Sequence, residues 1–319
     1  MKHKAPPKIT LVGSGNWGST IALIVGRNAG KHKNDFDPEV RMWVHEEIHE
    51  NVKYLPGKKL SSNVIAVADL VTACIGSDIL IPHHLKEGAL AISLIKRFLI
   101  DKKEGVIRLV SEGIRGLLNI DTAVPMGANV KKKWPVLKKS FESDNFRINL
   151  TKDSNTVELC GGLKNSLKNV VACAAGFADG LGYGSNTKAA IIRLGLLEII
   201  VFVELFYHGS NIQTYFESCG IADLIATCNS GHNRKICEAF VKTRKSIQDL
   251  EREMLNGKSI QGPATAQAIF MMLKKHNIIS RFPLFFAVHQ IFKQQLSPNL
   301  LIERLRECKG ELPDKWMKR

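Results

Sequence analysis

The feature that most constrains this chain is Gly13-Ser-Gly-Asn-Trp-Gly18, which follows the apolar stretch Lys8–Val12 and precedes helix-forming Trp17–Gly26. Glycines at this GxGxxG spacing ask for a strand, a tight turn and a helix, in that order. Gly13 permits the turn, Gly15 lets the backbone approach a pyrophosphate, and Gly18 lets the helix pack closely on the strand. The helix N-terminus adds unpaired N–H groups and a positive dipole end. The plainer alternative is an ordinary glycine turn. The strand-to-helix context favours a dinucleotide cradle made by Gly13, Ser14, Gly15, Asn16, Trp17 and Gly18.

The alternation continues beyond the turn. Val40–Val44 and Val64–Val67 pattern as strands, and Asp69–Ile75 as a short helix. Asp78–Ile81 and Ala89–Ile95 are apolar enough for buried parallel strands. From about Asp153 the pattern becomes helical. Asn155–Phe177 has helical periodicity, and Asn186 or Thr187 is placed to cap a long helix running to about Tyr207. Further helices are expected over Thr214–Cys228, His232–Thr243, Ser246–Leu255, Thr265–His276 and Leu300–Cys308, with Ser246 as a cap. The expected architecture is α/β: a Rossmann-type domain over 1–150, then a mainly α-helical domain over 151–319.

Composition narrows the function. The 319 residues are 45% hydrophobic and 24% charged, ordinary for a globular chain. The run Ala189–Tyr207 is interrupted by Arg193, Glu198 and Glu204, so it reads as a buried core helix and not a membrane span. No apolar signal region follows the basic N-terminus, and the seven cysteines form no CxxC pair. Reduced thiols in the cytosol are the expectation. The net charge of +15 suits an anionic small substrate. No zinc-finger spacing or aromatic-interleaved basic repeat points to nucleic acid. The acid expected to read a ribose lies after the second strand, where Glu46 and Glu47 are candidates. No arginine follows that strand closely, which favours NAD over NADP.

Several stretches carry a family resemblance. They include Glu50-Asn-Val-Lys-Tyr-Leu-Pro-Gly57, Ile92-Ser-Leu-Ile-Lys96, Met126-Gly-Ala-Asn129 and Thr156-Val-Glu-Leu-Cys160, then Leu163-Lys-Asn165 and Gly176-Phe-Ala-Asp-Gly-Leu-Gly182. Asn186-Thr-Lys-Ala-Ala-Ile-Ile-Arg-Leu-Gly195, Cys219-Gly-Ile-Ala-Asp-Leu224 and Gln261-Gly-Pro263 complete the set. Together with the glycine turn, these resemble the eukaryotic cytosolic NAD-dependent glycerol-3-phosphate dehydrogenases. The resemblance implies reversible reduction of dihydroxyacetone phosphate, a small phosphorylated three-carbon substrate, to sn-glycerol 3-phosphate by NADH. It also implies a cytoplasmic homodimer. By residue it implies Lys164 as the catalytic lysine, Lys96 as a second active-site lysine that also touches substrate, and Asn129 and Asp223 beside them. Thr227, His232, Asn233 and Arg234 are implied at the substrate phosphate, and Gln261 at the cofactor.

These residue types suit the reaction. Carbonyl reduction needs hydride on carbon and a proton on oxygen, and a lysine ammonium can supply the proton. Its ordinary pKa of about 10.4 falls under burial or a neighbouring positive charge, as two converging lysines would provide. Asn129 can donate to the developing alkoxide. Lys164 and Lys168, four apart, share one face of any helix that contains both.

The sequence also departs from the resemblance. His232 stands where the family has arginine in Gly-Arg-Asn-Arg-Lys, and a histidine cannot form arginine's bidentate fork. Only seven residues separate Ile81 from Ala89, short for a parallel crossover. Alternative readings are a catalytically weak paralogue that only binds dinucleotide or dimerises, and a non-functional shortened chain.

Overall fold

The computed structural model describes residues 6–12, 16–43, 59–69, 72–73, 90–92, 98–101, 106–109, 111–113, 116, 121–123, 134–144, 148–149, 151–161, 166–207 and 209–306. The chain divides into two compact units. The first comprises Met1–Leu94 with Ser111–Ser154, and the second Ile95–Val110 with Asn155–Arg319.

The first unit opens with strand β1 (Ile9–Val12), helix α1 (Asn16–Lys31) and strand β2 (Val40–Trp43), followed by β3 (Val64–Val67). These strands pair in parallel in the order β1-β2-β3, Ile9 facing Val40 and Val40 facing Val64. Helix α1 puts Ile21, Ala22, Val25 and Ala29 on one stripe against Ile9, Leu11, Val40, Met42 and Val64. A strand, then a helix and a parallel strand, are what the glycine spacing asked for; Gly13, Ser14 and Gly15 themselves lie outside the described residues. Strand β4 (Leu90–Ile92) pairs in parallel with a later strand, Asp121–Ala123. The expected strand Asp78–Ile81 and most of Asp69–Ile75 lie outside the described residues. Helix α2 (Trp134–Phe141) ends under Asn28, whose amide donates to the carbonyls of Lys139, Ser140 and Glu142 at 3.1, 3.0 and 2.8 Å. These are carbonyls that a helix end leaves unpaired.

In the second unit β5 (Phe98–Asp101) and β6 (Val106–Leu109) form an antiparallel pair, and the Asp121–Ala123 strand of the first unit is β7. The helical part begins with α3 (Ser154–Gly161) and α4 (Lys168–Gly180). The sequence suggested one helical stretch over Asn155–Phe177; the structure divides it, since α3 ends at Gly161 and α4 starts seven residues later. Helix α4 is buried from Lys168 through Ala178. The long helix α5 (Ser185–Phe206) starts before the expected caps, with extended Gly184 as N-cap and no side-chain cap bond. Then come α6 (Ile212–Phe216), a π-type turn Ser218–Ala222, α7 (Asp223–Ser230) and α8 (His232–Thr243), where one helix over Thr214–Cys228 was expected. Helix α9 (Ile247–Leu255) is capped by Ser246, which accepts from the Asp249 N–H. Helices α10 (Gly262–Lys275), α11 (Pro283–Phe292) and α12 (Leu301–Leu305) close the unit.

Two features hold the helical core. Helices α4 and α8 meet through glycines: a Cβ on Gly176 would lie 2.3 Å from the Arg234 carbonyl oxygen, and one on Gly180 2.7 Å from Val241 Cβ. The carboxyl of Glu198, buried in α5, accepts the N–H groups of Leu284 and Phe285 at 2.7 and 2.9 Å, so it caps α11 from a distance. Burial pushes this carboxyl up to about 8 against the lowering effect of the two N–H groups. Among the described residues no helix is long and apolar enough to cross a membrane.

Candidate active site

Lysine is rarely buried without a partner. Lys168, the first residue of α4, is only 2% exposed, and its ammonium is ion-paired with Asp223, the first residue of α7. The same Nζ donates to the Gly161 carbonyl at 3.2 Å. An ammonium has three N–H donors, and among the described residues it has these two acceptors. Thr227 lies one turn along α7 and turns back on Asp223. Its hydroxyl donates to the Asp223 carbonyl at 2.6 Å and contacts the carboxylate Oδ1 at 3.4 Å.

Asn169, next to Lys168, begins a second set of ties. Its Oδ1 accepts from Nδ2 of buried Asn233 at 3.1 Å, and Asn233 Oδ1 accepts the Gly262 N–H at 2.8 Å. One asparagine therefore joins the first turns of α4, α8 and α10. Three helix N-termini brought together favour an anion. Position 262 must be glycine here, because a Cβ would fall 2.2 Å from Cys173 Sγ. Gly231, just before α8, is confined in the same way, with the Thr227 carbonyl oxygen 2.5 Å from its absent Cβ. Gln261 caps α10 with its carbonyl, which accepts from the Thr265 N–H at 3.0 Å, and its side chain donates to the Ser259 carbonyl at 3.2 Å.

Arg234 points elsewhere. Its Nε donates to Asp179 Oδ2 at 2.5 Å and its Nη1 pairs with Glu238 at 2.9 Å. Lys188 shares the same Asp179 oxygen at 2.8 Å. Asp179 lies ten residues along α4 from Asn169, a rise of roughly 15 Å. His232, the first residue of α8, is exposed. Burial pushes the Cys228 thiol up to about 12 and raises that of Cys237, so neither is poised as a nucleophile. Among the described residues no group of three His, Cys, Asp or Glu is placed to hold a metal.

Comparison with known proteins decides the family. Residues 8–132 match NAD-dependent glycerol-3-phosphate dehydrogenase N-terminus, and residues 153–303 match NAD-dependent glycerol-3-phosphate dehydrogenase C-terminus. The chain belongs to the NAD-dependent glycerol-3-phosphate dehydrogenase family. It is 50% identical to the probable glycerol-3-phosphate dehydrogenase 2 of Caenorhabditis elegans over 357 residues, covering 95% of this chain and 90% of the relative. That aligned length exceeds the chain's own 319 residues and so opens gaps in it. The cytoplasmic NAD-dependent enzyme of Drosophila virilis is 47% identical over 93% of this chain and 96% of its own. The solved glycerol-3-phosphate dehydrogenase of Plasmodium falciparum superposes with a TM-score of 0.88, at 33% identity and 96% coverage of both chains.

As a glycerol-3-phosphate dehydrogenase family member the chain is an NAD-dependent oxidoreductase with a dinucleotide-binding N-terminal part and a helical C-terminal part. Of the residues that sequence suggested, the structure gathers Asp223, Thr227 and Asn233 around Lys168 and Asn169. It places Gln261 beside Gly262, and it engages Arg234 with Asp179 and Glu238. Lys96, Asn129 and Lys164 lie outside the described residues, as do Gly13, Ser14, Gly15, Glu46 and Glu47. Asn16 and Trp17 open α1, and Gly18 lies in its first turn.

Sequence reasoning passed over Lys168 as a site residue, and Asn169 and Asp179 as well. A charged residue leading the apolar run Val170–Ala175 was the signal for Lys168. The cofactor cradle fits what surrounds it: α1 begins four residues after β1 ends and has no acidic residue in its first turn to repel a pyrophosphate.

Proposed function

We propose that this chain interconverts dihydroxyacetone phosphate and sn-glycerol 3-phosphate, as a homodimer in the cytosol. The observation that carries the reading is the buried ammonium held between Asp223 and the Gly161 carbonyl, one residue from the Asn169–Asn233–Gly262 tie. An oxygen that gains negative charge needs a donor already fixed in place, and a buried ion pair is such a donor. Asp223 orients the ammonium, and the Thr227 hydroxyl braces Asp223. The first turns of α8 and α10, joined by Asn233, face the substrate phosphate with backbone N–H groups, and His232 stands at that edge. Gly13–Gly18 hold the cofactor pyrophosphate at the start of α1, and Gln261 also binds the cofactor. Lys96 and Asn129 complete the carbonyl contacts. Bound NAD supplies the hydride chemistry. The cytosolic setting is supported by relatives named as cytoplasmic.

The test is loss of NADH absorbance on adding dihydroxyacetone phosphate to the purified chain. A substrate-dependent rate is expected, and Asp223→Asn should reduce kcat about 100-fold, within the range for a disrupted proton donor. Protein that binds NADH yet shows no such rate overturns the reading.

A further inference from the structure

The chain spells Leu-Lys-Asn twice in succession, as Leu163-Lys164-Asn165-Ser166 and then Leu167-Lys168-Asn169-Val170. The segment before the pair ends in Val157-Glu-Leu-Cys-Gly161, and the segment after it leads to Gly176-Phe-Ala-Asp-Gly180. The Leu-Lys-Asn that the resemblance marks as catalytic matches either copy. Sequence offers no choice between them, because the words are the same.

The structure breaks the tie. Lys168 begins α4, is buried, and spends two of its three N–H groups on Asp223 and Gly161. Asn169 is buried too and bonded to Asn233. From there α4 runs without interruption to the glycine contacts with α8, so the position of Lys168 is rigidly coupled to the first turn of α8. The Lys168 amine reaches the Gly161 carbonyl at 3.2 Å, so the ends of the intervening stretch already lie within a lysine side chain's reach of each other. A stretch whose ends are that close can be shortened without moving them.

We propose that the second copy is the working one: Lys168 is the proton donor, and one four-residue unit of the repeat is dispensable. This rests on the carbonyl-reduction reading above. In the reductive direction the carbonyl carbon takes hydride from the bound cofactor. An Nζ–H bond of Lys168 breaks as the new O–H bond forms. The neutral amine then regains a proton from solvent.

Four variants test it, each measured for dihydroxyacetone phosphate-dependent NADH oxidation, thermal melting without cofactor, and NADH binding by fluorescence. Lys168→Met is expected to lower kcat about 1,000-fold while still binding NADH, and Lys168→Ala to regain part of its rate with added methylamine. Lys164→Met should keep kcat within about twofold. Removing any four consecutive residues between Leu163 and Asn169 yields one and the same sequence, and that variant should melt cooperatively and keep its rate within a few-fold. A dead Lys164→Met, a fully active Lys168→Met, or a deletion that neither folds nor turns over overturns the proposal. If Lys168→Met does not melt cooperatively, the Lys164→Met rate decides: full rate supports the assignment and loss refutes it. A wild-type chain without any dihydroxyacetone phosphate-dependent rate takes the reading and the proposal down together, whereas an active wild type with an inactive Lys164→Met removes the proposal alone.

Discussion

In the helical unit, charged and amide side chains are built into the core. Lys168 and Glu198 sit among apolar helices, each with partners from a different helix, and Asn233 spans three. In the first unit the described core is apolar, Phe36 lying among aliphatic residues; one buried amide, Asn28, ties the end of α2, and no charged side chain is among the described buried residues, the ion pairs lying outside the core. Lys8–Asp37, Arg41–Glu39 and Lys139–Asp35 are all substantially exposed. The contrast teaches where side-chain identity matters. A buried charge left without its partner is costly, whereas an exposed pair contributes about 0–1 kcal/mol. The first unit needs its backbone shape and its small glycines more than any particular charge. The second needs particular side chains at particular places.

The steric test of that contrast is Gly176→Ala. The new methyl would meet a main-chain carbonyl 2.3 Å away, which cannot rotate aside. Destabilisation of about 3 kcal/mol or more is expected in urea unfolding; a change below about 1 kcal/mol would show that α4 and α8 can part cheaply.

Glu198→Gln comes next. The folded-state pKa of Glu198, about 8, is raised above its ordinary 4.5. The folded chain therefore holds a proton that the unfolded chain releases. This stabilising contribution is complete below pH 4.5 and drains away as pH rises to 8, a loss on the order of 5 kcal/mol. Unfolding free energies measured at pH 5, 6.5 and 8 should fall in the wild type and flatten in the variant. Equal slopes in the two proteins would exclude Glu198 as the source.

The smallest effect is expected at the first unit's surface. Lys139→Ala removes an exposed partner of Asp35 and should change stability by less than about 1 kcal/mol. A larger loss would mean that this surface pair carries structural weight and would blur the contrast.

Local signals made much of the fold readable. The glycine spacing located β1 and α1, alternation located β2 and β3, and Ser246 marked the start of α9. Helix α8 occupies the expected span His232–Thr243. What escaped was set by distant partners or by repetition. The leucines of the repeated words are four apart, so they kept a helical period across the gap between α3 and α4. Helix α11 has only His289 and Gln290 among apolar residues, which leaves little polar contrast to read; Pro283 at its first turn was its one local mark. The charge of Glu198 argued correctly against a membrane span, but its partners lie 86 and 87 residues away. The resemblance implied Arg234 and Asn233 together at the substrate phosphate. On a helix, adjacent residues point about 100° apart, so Asn233 turns to the start of α4 and Arg234 to its end.

The glycine contact between α4 and α8 has one more consequence. A joint made of main chain against main chain has no torsion that can soften it. The span between the Lys168 amine and the first turn of α8 therefore keeps its length on warming until the helical unit gives way as a whole. Such a site does not lose its fit by degrees, and its heat inactivation should trace the same curve as the loss of helix.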